Sequence, residues 1–333
     1  MSRIEGELSI RPERPRPADL RGIAERFELR VDEGNDEGNG AGGREATGGG
    51  SDGRGRPDAE PLTVTGVTLD SRDVRSGDLY AALPGSRRHG AEFAAQAVDR
   101  GAVAILSDAV GLELVRAAGL ATPVLVAEQD PRAILGEVSA AVYGNGEFDA
   151  RLFGVTGTNG KTSVVYLLAE LLRAAGLRAG LSSTAERRVG ETVMTSGLTS
   201  PEAPELHALL ARMREERAEA VAVEVSAHAV ARHRIDGVRF DVVAFNNLSQ
   251  DHLDDFGDME GYFAAKLALF APEHARRGVV VVDGAYGQRI AREARIPVTT
   301  LATEYGREAD WHLAVTRQDL DGVSFVLQGP AGA

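Results

Sequence analysis

Residues 151–176, RLFGVTGTNGKTSVVYLLAELLRAAG, are the most specific feature of the sequence. It opens with an apolar run typical of a buried strand, passes through a glycine-rich turn, and continues as an amphipathic helical pattern. A strand that leads through Gly160-Lys161-Thr162 into a helix is typical of a phosphate-binding loop. The strict G-x-x-x-x-G-K-[ST] spacing is not met, because Val155 stands at the first glycine position and the glycine lies at Gly157.

A loop of this kind binds phosphates through backbone N–H groups and through the partial positive charge of the helix N-terminus. We expect Lys161 to reach the terminal phosphates and the Thr162 hydroxyl to ligate magnesium. The alternative is a glycine-rich turn without a ligand. Only two of the 37 basic side chains are lysines, Lys161 and Lys266, and one of them occupies the motif position. This coincidence favours phosphate binding.

Apolar runs alternate with helical patterns on both sides of this loop. Strand-like VAVEV, VVAFNN and GVVVVDG follow it up to about residue 300, and a smaller α/β unit from LTVTGVTLDSR to PVLVAE precedes it. We predict an α/β protein with a small N-terminal domain over residues 1–129 and a P-loop central domain over residues 130–333, whose mostly parallel sheet is flanked by helices. Residues 15–31 predict a short helix. Residues 32–60 contain ten glycines and predict a disordered insertion in the N-terminal domain.

The composition excludes several classes of protein. A length of 333 residues suits about two domains, and the lack of cysteine excludes disulfides, thiolate metal sites and cysteine nucleophiles. A net charge of −13 argues against broad nucleic-acid binding. No apolar run reaches the roughly 20 residues that span a bilayer, and the N-terminus lacks the apolar core of a secretory signal. We therefore expect a cytoplasmic protein.

Two polar clusters follow the loop at the ends of predicted elements. Thr199-Ser200-Pro201-Glu202 precedes a helical pattern that the proline can open, and its hydroxyls either contact a ligand or cap the helix. Glu224 lies within VAVEV, and Ser226, His228 and Arg234 follow that strand, where ligands of α/β sheets bind. A carboxylate in an apolar strand needs a partner, so Glu224 is either a magnesium ligand or half of an internal salt bridge.

A third cluster follows the strand VVAFNN. Asn247, Asp251 and His252 lie just beyond this strand, and a helix rich in Ala, Leu and Phe then carries Lys266. Burying an ammonium on such a helix is costly. Lys266 therefore either extends to solvent or has a chemical role in which arginine cannot replace it.

These segments together resemble the Mur ligase family of ATP-dependent amide ligases. The resemblance is carried by GVTGTNGKTS, LTSPEAPEL, EVSAHAVARHRIDG and NNLSQDHLDDFGDMEGYFAAK, and in the N-terminal domain by TLDSRDVRSGDLYAALPGSRRHGAEF. It spans about residues 62–300 and is nearest to the MurE branch. It implies that the third amino acid, a diamino acid such as diaminopimelate or lysine, is added to UDP-MurNAc-L-Ala-D-Glu through an acyl phosphate in peptidoglycan synthesis.

The resemblance also implies roles for individual residues. The residues implied to bind ATP are Gly157, Thr158, Asn159, Gly160, Lys161, Thr162 and Ser163. Those implied to surround magnesium are Thr162, Glu224, His252 and a carbamylated Lys266, and the implied catalytic set is Lys161, Lys266, Glu224 and His252. The uridine diphosphate end is implied to meet Leu69, Ser71, Ser86, Arg87 and Arg88. The muramoyl-peptide is implied to contact Thr199, Ser200, Ser226, Arg232 and Arg234.

Several positions depart from the family pattern. Asn246 and Ser200 replace threonines, Ala227 replaces a serine, Phe256 replaces a histidine, and Arg232 stands where a glutamine is common. Serine keeps the hydroxyl of threonine, whereas Phe256 removes a polar group. We expect the Phe256 change to weaken activity.

The sequence ends at Ala333, before a third domain that the resemblance implies, so we expect a fragment that is inactive alone. The added amino acid is left open, because the residues that select it belong to that domain. The expected partners are UDP-MurNAc-L-Ala-D-Glu and a free diamino acid, without nucleic acid or membrane insertion, and the expected state is a monomer. Two alternatives stay open: a non-catalytic module that binds nucleotide or UDP-sugar, and a cyanophycin-type or folylpolyglutamate-type ligase.

Overall fold

The computed structural model describes residues 10–34, 62–195, 200–304 and 306–330. The chain divides into two compact units. The small unit comprises Pro15–Ile134 and Ala141–Tyr143, and the large unit comprises Leu135–Ala140 and Gly144–Ala333 with the residues up to Arg14. Within the described ranges, no helix has the length and apolar character needed to cross a membrane.

The small unit contains a five-stranded sheet with strand order β2-β7-β6-β5-β4, in which β2 alone runs antiparallel to its neighbour. Its elements in chain order are β1 (Ala18–Asp19), α1 (Leu20–Arg26), β2 (Arg30–Asp32), β3 (Thr63–Val64), β4 (Gly66–Thr68), β5 (Asp78–Ala81), α2 (Ala94–Asp99), β6 (Ala102–Ser107), α3 (Ala109–Ala117) and β7 (Val124–Val126). Strands β1 and β3 form a separate antiparallel pair. Tyr80, Ile105 and Val124 from the sheet pack with Ala94 and Val115 from α2 and α3.

Helix α4 (Pro131–Val142) is divided between the two units, and the large unit follows it. The elements of the large unit are β8 (Arg151–Thr156), α5 (Lys161–Ala174), β9 (Ala179–Ser182), β10 (Glu186–Val189), β11 (Thr192–Thr195), α6 (Ala203–Glu215), β12 (Ala220–Glu224), α7 (Ala227–Ala231), β13 (Phe240–Phe245), α8 (Leu253–Phe256), α9 (Met259–Leu267), β14 (Ala275–Val281), α10 (Ala285–Glu293), β15 (Val298–Ala302), β16 (Trp311–Asp319) and β17 (Gly322–Gln328).

The large unit contains a ten-stranded sheet with the order β11-β10-β9-β12-β8-β13-β14-β15-β16-β17. The run from β9 to β16 is parallel, and antiparallel strands lie at both ends. Strand β12 is buried along its whole length, because helices cover both faces of a parallel sheet. Its Val221 packs with Leu209 and Met213 of α6, whereas the next residue, Ala222, packs with Val165 of α5 on the opposite face.

The register of the central strands positions the candidate residues. Glu224 at the end of β12 pairs with Val155 of β8, and Phe245 at the end of β13 pairs with Thr156 of β8. Three parallel strands therefore end side by side. The loops that follow them carry the phosphate-binding motif after β8 and the polar clusters after β12 and β13, and they emerge at the same edge of the sheet.

The predicted α/β class, with a mostly parallel sheet flanked by helices, is confirmed, but local details differ from the sequence predictions. The helix predicted over residues 15–31 is limited to Leu20–Arg26 and has a short strand on each side. Asp32, which was assigned to the glycine-rich insertion, lies in β2 and forms an ion pair with Arg116. Residues 35–60 of that insertion lie outside the described residues. Strands β16 and β17 continue past residue 300, where no strand was predicted.

Candidate functional site

The glycine-rich loop lies between β8 and α5, as the sequence predicts. Gly157 and Gly160 have φ values of +155° and +79°, in a region that side-chain-bearing residues rarely adopt. A Cβ atom on Gly157 would lie 3.0 Å from the Cβ of Asn246. The two glycines therefore let the loop pass close to the segment after β13 and turn into α5, which begins at Lys161.

The segment after β13 holds the loop in place through hydrogen bonds. The Asn159 backbone N–H donates to Asn247 Oδ1 at 2.9 Å, and the Thr158 N–H donates to the Asn247 carbonyl at 3.0 Å. The Ser249 N–H donates to Thr158 Oγ1 at 3.0 Å. Thr158 and Asn159 thus help to shape the loop. Ser249 was not a sequence candidate, because a serine in a polar loop carries no spacing signal of its own.

Lys161 and Ser163 occupy the first turn of α5, with Ser163 exposed. The Lys161 ammonium donates to the Thr158 carbonyl at 2.9 Å, so the side chain folds back over the loop. This places a positive charge beside the backbone that would face a phosphate.

Glu224 and Thr162 are brought together as the magnesium hypothesis requires. Glu224 is 2% exposed, and its Oε2 accepts hydrogen bonds from Thr162 Oγ1 at 2.9 Å, from the Thr184 backbone N–H at 3.0 Å and from Thr184 Oγ1 at 3.1 Å. Among the described residues, no basic side chain forms an ion pair with it, so the internal salt bridge considered from the sequence is not found. Thr184 was missed, although it follows the end of β9, where polar side chains of such sheets gather.

Lys266 lies inside the large unit and does not extend to solvent. It is 1% exposed, and its Nζ donates to the Gly157 carbonyl at 2.9 Å and lies 4.5 Å from the centre of the Tyr262 ring. No carboxylate of the described chain forms an ion pair with it. Burial lowers the pKa of Lys266 to about 7, and the nearby charge of Lys161 acts in the same direction. The lysine therefore reaches its neutral form near physiological pH.

The residues implied to contact the muramoyl-peptide are largely engaged with one another. Ser200 is buried, donates to the Glu224 carbonyl at 3.0 Å and accepts from the Ser226 N–H at 3.1 Å. Ser226 in turn caps α7. Arg234 forms an ion pair with Glu202 at 2.7 Å. Helix α6 begins at Ala203 after Glu202, so neither Ser200 nor Pro201 opens it as predicted. Thr199 lies outside the described residues.

His252 belongs to a cluster of aromatic and charged side chains beyond β12 and β13. Its ring meets that of His228 edge to face with centroids 4.9 Å apart, and His228 Nε2 lies 2.9 Å from Asp255 Oδ2. This hydrogen bond lowers the pKa of Asp255. Phe256 packs on His228, and the exposed Arg232 lies 3.7 Å from Asp255. Asp255 was not a sequence candidate, since nothing in DHLDDF distinguishes it from its neighbouring acids.

The candidates for the uridine diphosphate end all lie in the small unit. Leu69 and Ser71 follow the end of β4, and Ser86 to Arg88 follow the adjacent parallel strand β5. Ser71 is buried and donates to Gln96 Oε1 at 2.7 Å. Arg88 donates to Glu92 at 2.7 Å, whereas Ser86 and Arg87 are exposed.

Comparisons with protein families identify both units. Residues 155–332 match the model of the Mur ligase middle domain, and residues 63–143 match the model of the Mur ligase family catalytic domain. The middle-domain match alone covers more than half of the chain.

Individual proteins give a consistent result. A UDP-N-acetylmuramyl-tripeptide synthetase of Leifsonia xyli is 56% identical over 277 residues, which are 83% of this chain and 53% of that protein. A UDP-N-acetylmuramoyl-L-alanyl-D-glutamate–2,6-diaminopimelate ligase of Streptomyces coelicolor is 48% identical over 81% of this chain and 52% of its own length. The solved structure of a ligase with that same name superimposes with a TM-score of 0.69 at 27% identity, over 83% of this chain and 56% of the other. The chain thus spans about half the length of the relatives that it matches.

Proposed function

Because this chain belongs to the Mur ligase family, we propose that it provides the ATP-binding and UDP-precursor-binding parts of a MurE-type amide ligase. The acceptor in this proposal is UDP-MurNAc-L-Ala-D-Glu, and the added group is a diamino acid such as diaminopimelate or lysine. The observation that supports this proposal most strongly is that both Glu224 and Lys266 contact the Lys161 loop beside the ends of β8 and β12. Glu224 accepts a hydrogen bond from Thr162, and Lys266 donates one to the Gly157 carbonyl. In this proposal the reaction takes place in the cytoplasm and the chain acts as a monomer.

The proposed first step joins the substrate carboxylate to ATP. A carboxylate oxygen of D-Glu attacks the γ-phosphorus, the bond from that phosphorus to the β–γ bridging oxygen breaks, and ADP leaves. Lys161 and the N–H groups at the start of α5 offset the charge on the transferred phosphoryl group. In the second step the amine attacks the acyl carbon, inorganic phosphate leaves and the amine loses a proton. Catalysis then consists of positioning and charge neutralisation.

The residues present fit a magnesium ion beside the loop. Thr162 and Glu224 offer a hydroxyl and a buried carboxylate, which are the oxygen ligands that magnesium prefers. We propose that these two side chains bind the ion and that His252 is a further ligand. Bound magnesium supplies positive charge that offsets the phosphate oxygens.

The surroundings of Lys266 support its proposed carbamylation. A carbamate forms when a neutral amine attacks carbon dioxide: an N–C bond is made, one C–O π bond opens to leave a negative oxygen, and the nitrogen releases a proton. The pKa of Lys266, lowered to about 7, provides that neutral amine. The product is an anion next to Lys161, where it helps to position the metal and the γ-phosphate. An arginine in this place cannot become neutral and react in this way.

Binding of the acceptor tests this proposal with the chain itself. Calorimetry should show that UDP-MurNAc-L-Ala-D-Glu binds, and that UDP-MurNAc-L-Ala, which lacks the reacting carboxylate, binds more weakly. Fusing the chain to the remaining part of the Leifsonia xyli relative should then give ligation that Lys161→Ala eliminates. A chain that binds nucleotide but neither muramoyl compound would contradict the proposal and favour a non-catalytic nucleotide-binding module.

A further inference from the structure

Two histidines and one aspartate lie close together beyond the carboxyl ends of β12 and β13. His228, His252 and Asp255 each offer one potential metal-ligand atom, and these atoms all lie within 4.8 Å of one another. His228 Nε2 and Asp255 Oδ2 are already 2.9 Å apart. Three ligands of one ion, each about 2 Å from it, lie within roughly 4 Å of one another, so the three groups are close to the spacing that a single ion requires.

The fold holds the three groups in this arrangement from two different loops. His228 lies in the first turn of α7, which follows β12. His252 directly precedes α8, which follows β13, and Asp255 lies within that helix. His252 has a φ of +53°, which turns the chain into α8. The His252 ring contacts the His228 ring, with centroids 4.9 Å apart. The Phe256 ring also packs against His228, at the same centroid distance.

The chemistry of this donor set differs from that of the proposed magnesium site. Magnesium prefers oxygen ligands, whereas two imidazoles with one carboxylate suit zinc, cobalt and nickel. Glu224 is not part of the cluster, because its Oε2 faces Thr162 and Thr184. The three groups leave further coordination positions for water or a ligand.

We propose that His228, His252 and Asp255 form a binding site for a divalent transition-metal ion of the zinc and cobalt class. One ion binds per chain, without nucleotide. Two neighbouring charges act on the site in opposite directions: Asp251, whose Oδ2 lies 3.3 Å from His252 Nε2, favours a cation, and Arg232, 3.7 Å from Asp255, opposes it. One consequence rests on the proposed function. An ion held here occupies His252, so it should compete with the use of that histidine in magnesium-dependent catalysis.

Titration of the tag-free chain with cobalt(II), in a buffer without nucleotide, tests the site directly. Visible absorption should show one bound ion with imidazole ligands, and zinc should displace it. His228→Gln and Asp255→Asn should each weaken cobalt binding by about tenfold or more. His233→Gln is the matched control, because His233 and Asp236 form a similar pair at 2.7 Å and, among the described residues, belong to no group of three potential metal ligands. This control should leave the affinity unchanged.

Glu224→Gln distinguishes the new site from the proposed magnesium site. We expect this variant to bind cobalt like the unmodified chain. If Glu224→Gln weakens cobalt binding while His228→Gln and Asp255→Asn do not, the ion occupies the magnesium site and the proposal is wrong. If no stoichiometric cobalt binding is found, the proposal is also wrong. Neither result would contradict the proposed ligase function, which is tested by acceptor binding.

Discussion

Replacing Lys266 by methionine should stabilise the large unit at neutral and acidic pH. Lys266 is 1% exposed, and burial lowers its pKa from 10.5 to about 7. A shift of this size corresponds to about 5 kcal/mol at roughly 1.4 kcal/mol per pKa unit. Below pH 7 the lysine carries a proton in both the folded and the unfolded chain, and the folded state bears this whole cost.

The cost decreases as the pH rises. Between pH 7 and 10.5 the folded chain has lost the proton while the unfolded chain still binds it, so stability increases with pH over this window. The cost is about 5 kcal/mol at pH 6 and about 2 kcal/mol at pH 9. Methionine removes this cost but loses the hydrogen bond to the Gly157 carbonyl and, where the lysine is charged, its contact with the Tyr262 ring, each worth about 1 kcal/mol. We therefore expect a net gain of about 3 kcal/mol at pH 6, where both contacts are lost, that falls to about 1 kcal/mol at pH 9, where the amine is neutral.

Urea unfolding at the two pH values measures this difference. Trp311 is the only tryptophan and lies in β16, so its fluorescence reports on the large unit. Buffers free of carbon dioxide keep Lys266 unmodified. Lys266→Arg is the matched variant, because arginine stays charged and should destabilise the chain at both pH values. A methionine gain that is equal at pH 6 and pH 9 would show that Lys266 does not titrate as a buried amine in this pH range.

Two further substitutions test other parts of the large unit. Ser226→Ala removes the hydroxyl that accepts the Ala229 N–H at 3.1 Å and caps α7, so it should lower the free energy of unfolding by about 1 kcal/mol, whereas Ser163→Ala on the exposed side of α5 should change it little. Burial lowers the pKa of His207 to about 4, so the unfolded chain gains this proton first as the pH falls. Unfolding measured from pH 7 to pH 4 should show about 3 kcal/mol of lost stability that His207→Gln removes, and an unchanged pH profile in that variant would contradict this assignment.

The phosphate-binding loop was predictable because its signal is local. A buried strand, a glycine-rich turn and the first turn of a helix occupy consecutive positions, so no tertiary contact is needed to recognise Gly157 to Thr162. The parallel sheet was predictable for a related reason, since apolar runs such as VAVEV are typical of strands covered on both faces.

Partners that come from distant positions were not predictable in the same way. Thr184 reaches Glu224 across 40 positions of the sequence, and Ser249 reaches Thr158 across 91. The strand ends bring these pairs together, and the sequence does not give the order of strands in the sheet. Asp255 was missed for a different reason, because only the position of α8 next to α7 separates it from the other acids of its loop.

The end of α6 nearest the site shows how tertiary contacts override local signals. A hydroxyl before a proline predicts a helix cap. The Ser200 hydroxyl instead donates to the Glu224 carbonyl and accepts from the Ser226 N–H. Glu202 occupies the cap position without capping through its side chain, and this carboxylate forms an ion pair with Arg234. Local propensity contributes about 1 kcal/mol at such a position, which buried polar pairing can exceed.

Phosphate binding by the loop from Gly157 to Thr162 is tested by the affinity of the chain for ATP with magnesium, measured before and after Lys161→Ala. Calorimetry should show that the unmodified chain binds ATP and that the variant binds at least about tenfold more weakly, because a hydrogen bond from a charged donor contributes about 1.5–3 kcal/mol. Arg173→Ala, at the opposite end of the same helix α5, should bind like the unmodified chain. An unchanged ATP affinity in Lys161→Ala, with the fold intact by circular dichroism, would contradict the phosphate-binding role of this loop.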